Sequence, residues 1–358
     1  MKTALSVTLI VTLIPVCAAF ARTWDIYSNG SGDAPTIQAG IDSASAGDTL
    51  ELYNGTYYEH DIQIKSGVAI DHFYGTPAQC IIDAGGQGRV MVFDGVDATT
   101  SVVDVTLTGG HASGTGGDGC GGGMLITNYG QPEFHMCIVE GNTADNLGGG
   151  AYCEDNASPQ FSYCTFRDNQ AGAGGGGLAC ASNSTPAFDA GLFWRNRTDG
   201  NGGGVHCSGS AVPNFRFCTF LNCVAAGYGG CMYSATGSSP IVDFCSLVFS
   251  VDGEGAYAAD DPSIPDFGCC DIYGNEGGDW VGRIADQYAI SGNFSLDPLF
   301  CDTSAVGSET PVEDCSPCLY HHQPFGDCAS QTGLPYAGCG CGEATEPSTW
   351  GTIKSLYR

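Results

Sequence analysis

The sequence predicts an all-β chain wound into a right-handed parallel β-helix, and three observations carry that prediction. Five prolines, Pro132, Pro159, Pro186, Pro213 and Pro240, fall 27 residues apart. Each opens the same pattern: Phe161, Cys164, Phe166, Asn169, a glycine run, Leu178 and Cys180 in one unit. Phe188, Phe193, Asn196, Gly202 to Gly204, Val205 and Cys207 repeat it in the next. Within a unit the apolar residues alternate over short stretches, and no segment has helical periodicity. A fixed period of this length means one supersecondary unit copied and stacked. Three short strands joined by turns, one circuit per unit, then stack as parallel sheets.

In chain order, residues 1–21 read as a secretory signal. Lys2 supplies the positive start, Ala4 to Val16 the apolar core, and Ala19-Phe20-Ala21 the cleavage site. The core is shorter than the ~20 apolar residues of a membrane span, and no other stretch approaches that length. Cys17 would suit lipid attachment, but Val16 before it fits poorly, which favours cleavage after Ala21. The mature chain is then exported, with no transmembrane segment. Residues 22–47 form an N-terminal cap, in which Pro35 to Ala46 puts Ile37, Ile41 and Ala44 on one face of a short helix. Asp48 to Leu52 begins the β-helix, which spans 48–296, and Gly55-Thr56-Tyr57 turns its first coil. Nine coils at ~4.8 Å rise give a rod of roughly 45 Å. From Asp297 the repeat stops, and a cysteine-rich cap, 297–341, closes the rod. A tail, 342–358, ends in Trp350 to Arg358, apolar and basic in an acidic chain; it reads either as a sorting or anchoring signal or as a frayed terminus.

The alternation assigns faces within each coil. Phe161, Cys164, Phe166, Leu178 and Cys180 point inward, and Thr165, Arg167 and Ala179 outward. Asn142, Asn169, Asn196 and Asn275 fall where the strand after the cysteine column ends. Asparagine tolerates the left-handed backbone of a turn, and stacked amides can bond along a ladder. The runs Gly148–Gly150, Gly174–Gly177 and Gly202–Gly204 permit a tight corner. A phosphate cradle would need a Lys-Ser/Thr pair or a helix start after the glycines, and neither follows.

Twenty cysteines are many for any chain. Cys137, Cys164, Cys218 and Cys245 share one repeat column; Cys153, Cys180 and Cys207 share another. Stacked thiols and disulfides between coils are both open. In-register Cβ atoms sit slightly too far apart for an unstrained bond, which favours thiols. Without a histidine in either column a metal ladder is disfavoured. The late group, Cys301, Cys315, Cys318, Cys328, Cys339 and Cys341, suits disulfides in an exported cap better than zinc.

A net charge of -28 excludes nucleic acid as a partner, since phosphates need lysine and arginine. No cofactor is firmly implied; Ca2+ is the cation an acidic exterior would take. One basic group breaks the pattern. Arg167, Arg195, Arg197 and Arg216 lie on three successive coils with Asp168 and Trp194 among them. Arg167 and Trp194 share an outward column. Such a set can grip a carboxylated sugar, hold calcium and stack on a sugar ring. The same arginines can equally relieve acidic self-repulsion.

Residues 36–59 (TIQAGIDSASAGDTLELYNGTYYE) resemble the N-terminal region of pectin methylesterases and related pectin-lyase-fold proteins, where a short helix caps the coil. The central units resemble polymorphic outer-membrane repeats of bacterial surface proteins. Phe166-Arg-Asp-Asn169 and Phe193-Trp-Arg-Asn196 match their F-x-x-N element, and Gly149-Gly-Ala151, Gly176-Gly-Leu178 and Gly203-Gly-Val205 their G-G-apolar element. Val139 stands in place of the Phe of F-x-x-N in one unit, and Cys223 in place of its Asn in another. Asp297-Pro-Leu-Phe300 with Ser316-Pro-Cys318 looks like the closing segment of exported bacterial β-helix proteins. The resemblance implies the fold and leaves the activity open. The catalytic motifs of pectin methylesterases and polygalacturonases are missing. Val242-Asp243-Phe244, Asp260-Asp261 and Ile70-Asp71-His72 are isolated fragments, the last placed outside the regular coils. The sequence therefore favours an exported, monomeric surface or extracellular module, adhesin-like and non-catalytic, binding polysaccharide or a cell-surface glycan. A lyase or hydrolase acting on acidic polysaccharide is the alternative, and a purely structural rod the third.

Overall fold

The computed structural model describes residues 21–300 together with 310–313, 316–318, 328, 332 and 335–339. The signal sequence, the 342–358 tail and Cys301, Cys315 and Cys341 lie outside the described residues, and Cys339 is described only as part of a backbone strand.

Alternating short strands wind into a parallel β-helix. The first sheet holds ten strands, from Thr23–Ile26 to Asp266–Gly268, and the second nine, from Gly55–Tyr58 to Asp271–Tyr273. The third holds eight, from Ile62–Gln63 to Ala256–Ala258. A corner ladder of five two-residue strands runs from His111–Ala112 to Val224–Ala225. In the proline-led units like pairs with like: Phe161 with Phe188, Phe166 with Phe193, Cys180 with Cys207.

The N-terminal helix is Ile37–Ser43. Thr36 caps it, its Oγ1 accepting the Ala39 N–H at 3.0 Å. Glu59 reaches across from the next coil, and its carboxylate accepts the N–H groups of Ile37 and Gln38 at 2.7 and 3.0 Å. Ile37, Ile41 and Ala44 are buried, as the spacing required. The sheet, however, begins earlier than expected. Thr23–Ile26 pairs in register with Thr49–Leu52, so the expected cap already contains the first rung, with the helix inserted between two rungs.

Phenylalanines fill the interior in two files. Phe134, Phe161 and Phe188 stack at 4.6 and 4.5 Å, and Phe193 and Phe220 at 4.7 Å. Each buried ring contributes about 2–3 kcal/mol of transfer free energy.

Polar ladders hold the corners. Asn142, Asn169 and Asn196 are fully buried; the amides of Asn142 and Asn169 bond to the rungs on either side, and that of Asn196 to the rung of Asn169. The left-handed residue is not the asparagine but the one before it: Gly141, Asp168, Arg195 and Gly274 have φ of 62°, 53°, 54° and 69°. That residue makes the bend, which leaves the asparagine free to turn its side chain inward.

At the opposite corner the thiols do the same work. Cys218 N–H donates to Cys245 Sγ at 3.3 Å and Cys245 N–H to Cys270 Sγ at 3.4 Å. The Cys245 thiol in turn donates to Asp243 O at 3.2 Å. Both cysteine columns are free and buried, so the columns are stacked thiols.

Two corrections concern the outer layer. Thr165 and Ala179 face outward but are buried, so parts of the outer faces are covered. Among the late cysteines, Cys328 bonds to Cys269, which the spacing did not suggest, and Cys318 is a buried free thiol. The reason is local. Cys269 has a left-handed φ of 54° that turns its side chain outward, while Cys270 stays in the thiol ladder.

Candidate functional site

The corner between the first and second sheets is built from one repeated bend. At successive rungs Asp104, Met136, Tyr163, Ala190, Phe217 and Phe244 take φ between 51° and 56°. A left-handed residue leaves the strand's in-and-out alternation, so its side chain stands away from the core. Beside it runs the outer column of the first sheet: Asp25, Glu51, Asp71, Val103, then His135, Ser162, Asp189, Arg216 and Asp243.

Aromatic side chains recur along this edge. Tyr27, Tyr53 and Phe73 stack at 4.2 and 4.6 Å at the N-terminal rungs. Tyr163 meets His135 edge-on at 5.7 Å, and Phe217 stacks on Phe244 at 5.2 Å. Arg216 lies over both phenylalanines, 4.7 and 5.9 Å from their centroids. Phe73 and Tyr163 are 54% and 53% exposed, far more than a packing role requires. The result is an interrupted ridge of rings, in clusters separated at Asp104, Met136 and Ala190 and flanked by hydrogen-bonding side chains. A shorter patch lies on the third sheet, where Tyr228 stacks on Tyr257 at 4.4 Å.

Ile70-Asp71-His72 lies on this ridge, within a regular strand of the first sheet rather than outside the coils. His72 is closed in: Nδ1 lies 3.0 Å from Asp104 Oδ2 and Nε2 2.6 Å from Asn54 Oδ1. It ties three coils together and has no ring edge left to offer a substrate. Asp71 faces out. Its carboxyl is pushed up by burial first and by Asp104 second, partly offset by a bond from the His72 backbone. Burial, then Asp25 and Asp71, push the Glu51 carboxyl up as well.

The arginine group predicted from sequence does not assemble as one site. Arg167 is clamped to Glu140 on the rung below. Arg195 pairs with Asp168 at 3.0 Å and leans on Trp194, 5.2 Å from the ring centroid. Trp194 is 8% exposed and packs with Leu192, Leu221, Val248 and Phe249, so it offers no open face to a sugar. Arg197 sits apart on the corner ladder, 4.0 Å from Asp199. Arg216 lies across the second sheet from the others and joins the ridge. Carboxylates answer Arg167, Arg195 and Arg197, which fits neutralisation of an acidic exterior. Among the described residues no three His, Cys, Asp or Glu side chains converge as metal ligands would.

The ridge went unread in the sequence, although a signal existed. Tyr163, Phe217 and Phe244 each stand immediately before a column cysteine. A ring beside an inward residue, repeated by period, marks an outward display position.

Known proteins bear on the fold. The family model "Right handed beta helix region" matches residues 38–247. A solved pectin methylesterase, PemA from Erwinia chrysanthemi, is similar at 13% identity and a TM-score of 0.41, covering 77% of this chain and 92% of its own. A pectin methylesterase from carrot is similar at 11% identity and a TM-score of 0.37, covering 81% and 91%. No curated protein matches the sequence. With more than half of its length matched by that family model and its strands wound in successive parallel coils, the chain belongs to the right-handed β-helix family.

Proposed function

We propose that this chain is an exported surface or extracellular module that binds a linear polysaccharide along the ridge without turning it over. The ridge itself carries the proposal. Exposed rings receive the apolar faces of sugars, and the polar column beside them receives hydroxyls. Charge selects among polymers. Asp25, Glu51, Asp71, Asp189 and Asp243 repel a polyanion, and Arg216 is the only arginine among them. The ligand class is therefore a neutral or amine-bearing glycan rather than the acidic polysaccharide the arginines first suggested.

A hydrolytic reading has one observation in its favour. Glu51 and Asp71 are neighbours on adjacent rungs, and both carboxyls are pushed up. Two neighbouring carboxyls, one to give and one to take a proton, are what acid–base hydrolysis of a glycosidic bond needs.

The test is the mature protein against neutral, amine-bearing and acidic polysaccharides, with and without Ca2+, by calorimetry and by release of reducing ends. Binding to a neutral or amine-bearing polymer without product is expected. Phe73→Ala and Tyr163→Ala should each weaken it roughly tenfold, about 1.4 kcal/mol. Undiminished affinity in the double variant would remove the ridge from consideration. Product that disappears in Glu51→Gln would establish the hydrolase instead.

A further inference from the structure

The outer face of the third sheet changes character along the rod. Its outward column runs Leu125, Tyr152, Ala179, His206, Tyr233 and Tyr257. Tyr152 and Ala179 are buried, packed with Cys120 and Ala181. From His206 onward the column is partly open. Val205 pairs with Met232, 27 residues on, but Met232 pairs with Ala256, 24 on. The lost length lies between corner and sheet. The corner ladder ends at Val224–Ala225 and continues as a single bridge from Val224 to Asp252. At this shortened crossing three tyrosines gather.

Tyr228 stacks on Tyr257, and Tyr233 lies parallel to Tyr257 within 2° at 5.9 Å. His206 extends the row, 5.0 Å from Tyr233. Tyr228 is 51% exposed, yet its backbone is clamped. Its N–H donates to Asn201 Oδ1 at 2.9 Å, and its carbonyl accepts the Gly202 N–H at 2.9 Å. The next residue, Gly229, donates its N–H to Glu254 Oε2 at 2.9 Å. An open ring held this firmly is preorganised, so a ligand pays little to order it. Among the described residues none of the three phenol hydroxyls bonds within the chain, so all three are left for a ligand.

Size and charge choose the occupant. The rings cover three rungs, about 10 Å along the axis, too little for the ~800 Å² each partner buries in a stable protein pair. The rim is acidic, with Glu254 beside Tyr228 and Asp260 near Tyr233. No free cation offsets it among the described residues of the platform. Burial holds the His206 imidazole below its ordinary range, and Arg283 is taken by Asp261 at 2.9 Å. An anionic ligand is repelled. Parallel rings with free hydroxyls suit the apolar face and hydroxyls of an uncharged or amine-bearing sugar. We propose that Tyr228, Tyr233 and Tyr257 form a second saccharide site, taking a short stretch of sugar on a different face of the coil from the ridge. No ridge residue belongs to it. Bridging of two glycan chains by one rod rests, in addition, on the ridge reading.

The test is calorimetry and saturation-transfer NMR on the full chain and on its Phe73→Ala/Tyr163→Ala variant, with cellohexaose, a chitosan hexamer and an oligogalacturonate as probes. In the variant, cellohexaose or the chitosan hexamer should still bind and the oligogalacturonate should not. Adding Tyr228→Ala or Tyr257→Ala should weaken that binding roughly tenfold, with the melting temperature in place. Tyr228→Phe, which keeps the ring and loses the hydroxyl, should cost roughly threefold. No binding of any probe in the ridge variant, or equal affinity after Tyr228→Ala, would overturn the platform. Failure of the ridge alone looks different: Phe73→Ala/Tyr163→Ala would then change nothing, and the tyrosine variants would remove all binding. Light scattering supplies the last arm. A self-associated chain that Tyr228→Ala turns into monomer would make the patch a contact between copies and overturn the sugar site.

Discussion

Asn169 serves two rungs at once, and its loss cannot be made good by water. Its Oδ1 accepts from the backbone and side-chain amides of Asn142, at 3.0 and 3.1 Å. Its Nδ2 donates to Val139 O and Asn196 Oδ1, at 2.9 and 3.0 Å. Asn169→Ala should cost about 3 kcal/mol, because buried donors and acceptors on three coils lose partners together. A urea titration reads this as a lower midpoint; an unchanged midpoint would mean that water replaces the amide. The ladder was legible because an amide recurring by period has few other uses. The site of the bend was not, since a left-handed φ on Asp168 or Arg195 leaves no mark in residue type. The same blindness misjudged Trp194: its outward column was legible, but the layer that buries it was not.

Among the elements, the strand Asp271–Tyr273 carries a sensitivity to pH. Asp271 is fully buried, and burial pushes its carboxyl well up, with Asp279 and Asp297 adding to the effect. The folded state therefore keeps the Asp271 proton at pH values where the unfolded chain has released it. The stabilisation is complete below the ordinary carboxylate range and is lost as pH rises through the folded value, by up to about 1.4 kcal/mol per pH unit. Asp271→Asn keeps a neutral side chain, so its melting temperature should fall less with rising pH than the parent's. Parallel pH profiles would show that Asp271 does not set this dependence. Sequence reading found the N-terminal helix because Ile37, Ile41 and Ala44 form one face. It missed Thr23–Ile26, which is too short to show alternation without its partner strand. It missed Cys269 as well, because adjacent cysteines give no hint which faces in.

For the molecule as a whole, the unusual fact is a core lined with free thiols. Burial pushes the Cys80 thiol up to about 12, and it raises Cys164, Cys180 and Cys245 further out of reach. Thiolate is the reactive form, so these cysteines are inert while the rod is wound. A chromogenic disulfide reagent should find the ladder thiols silent in the native chain and reactive in denaturant. Rapid native reaction would contradict the dry interior. The coiled middle of the fold was legible because stacking demands like inward residues, so the period survives in the sequence. The ridge has no such demand on it, and its residues change from rung to rung.

That freedom has an evolutionary consequence. From Asp104 to Cys269 one backbone bend carries acid, thioether, phenol, methyl, phenyl and disulfide side chains in turn, without disturbing the coil beneath. Scaffold and message are inherited separately. Specificity can be rewritten one letter per coil, and duplicating a unit adds a letter without editing those already there.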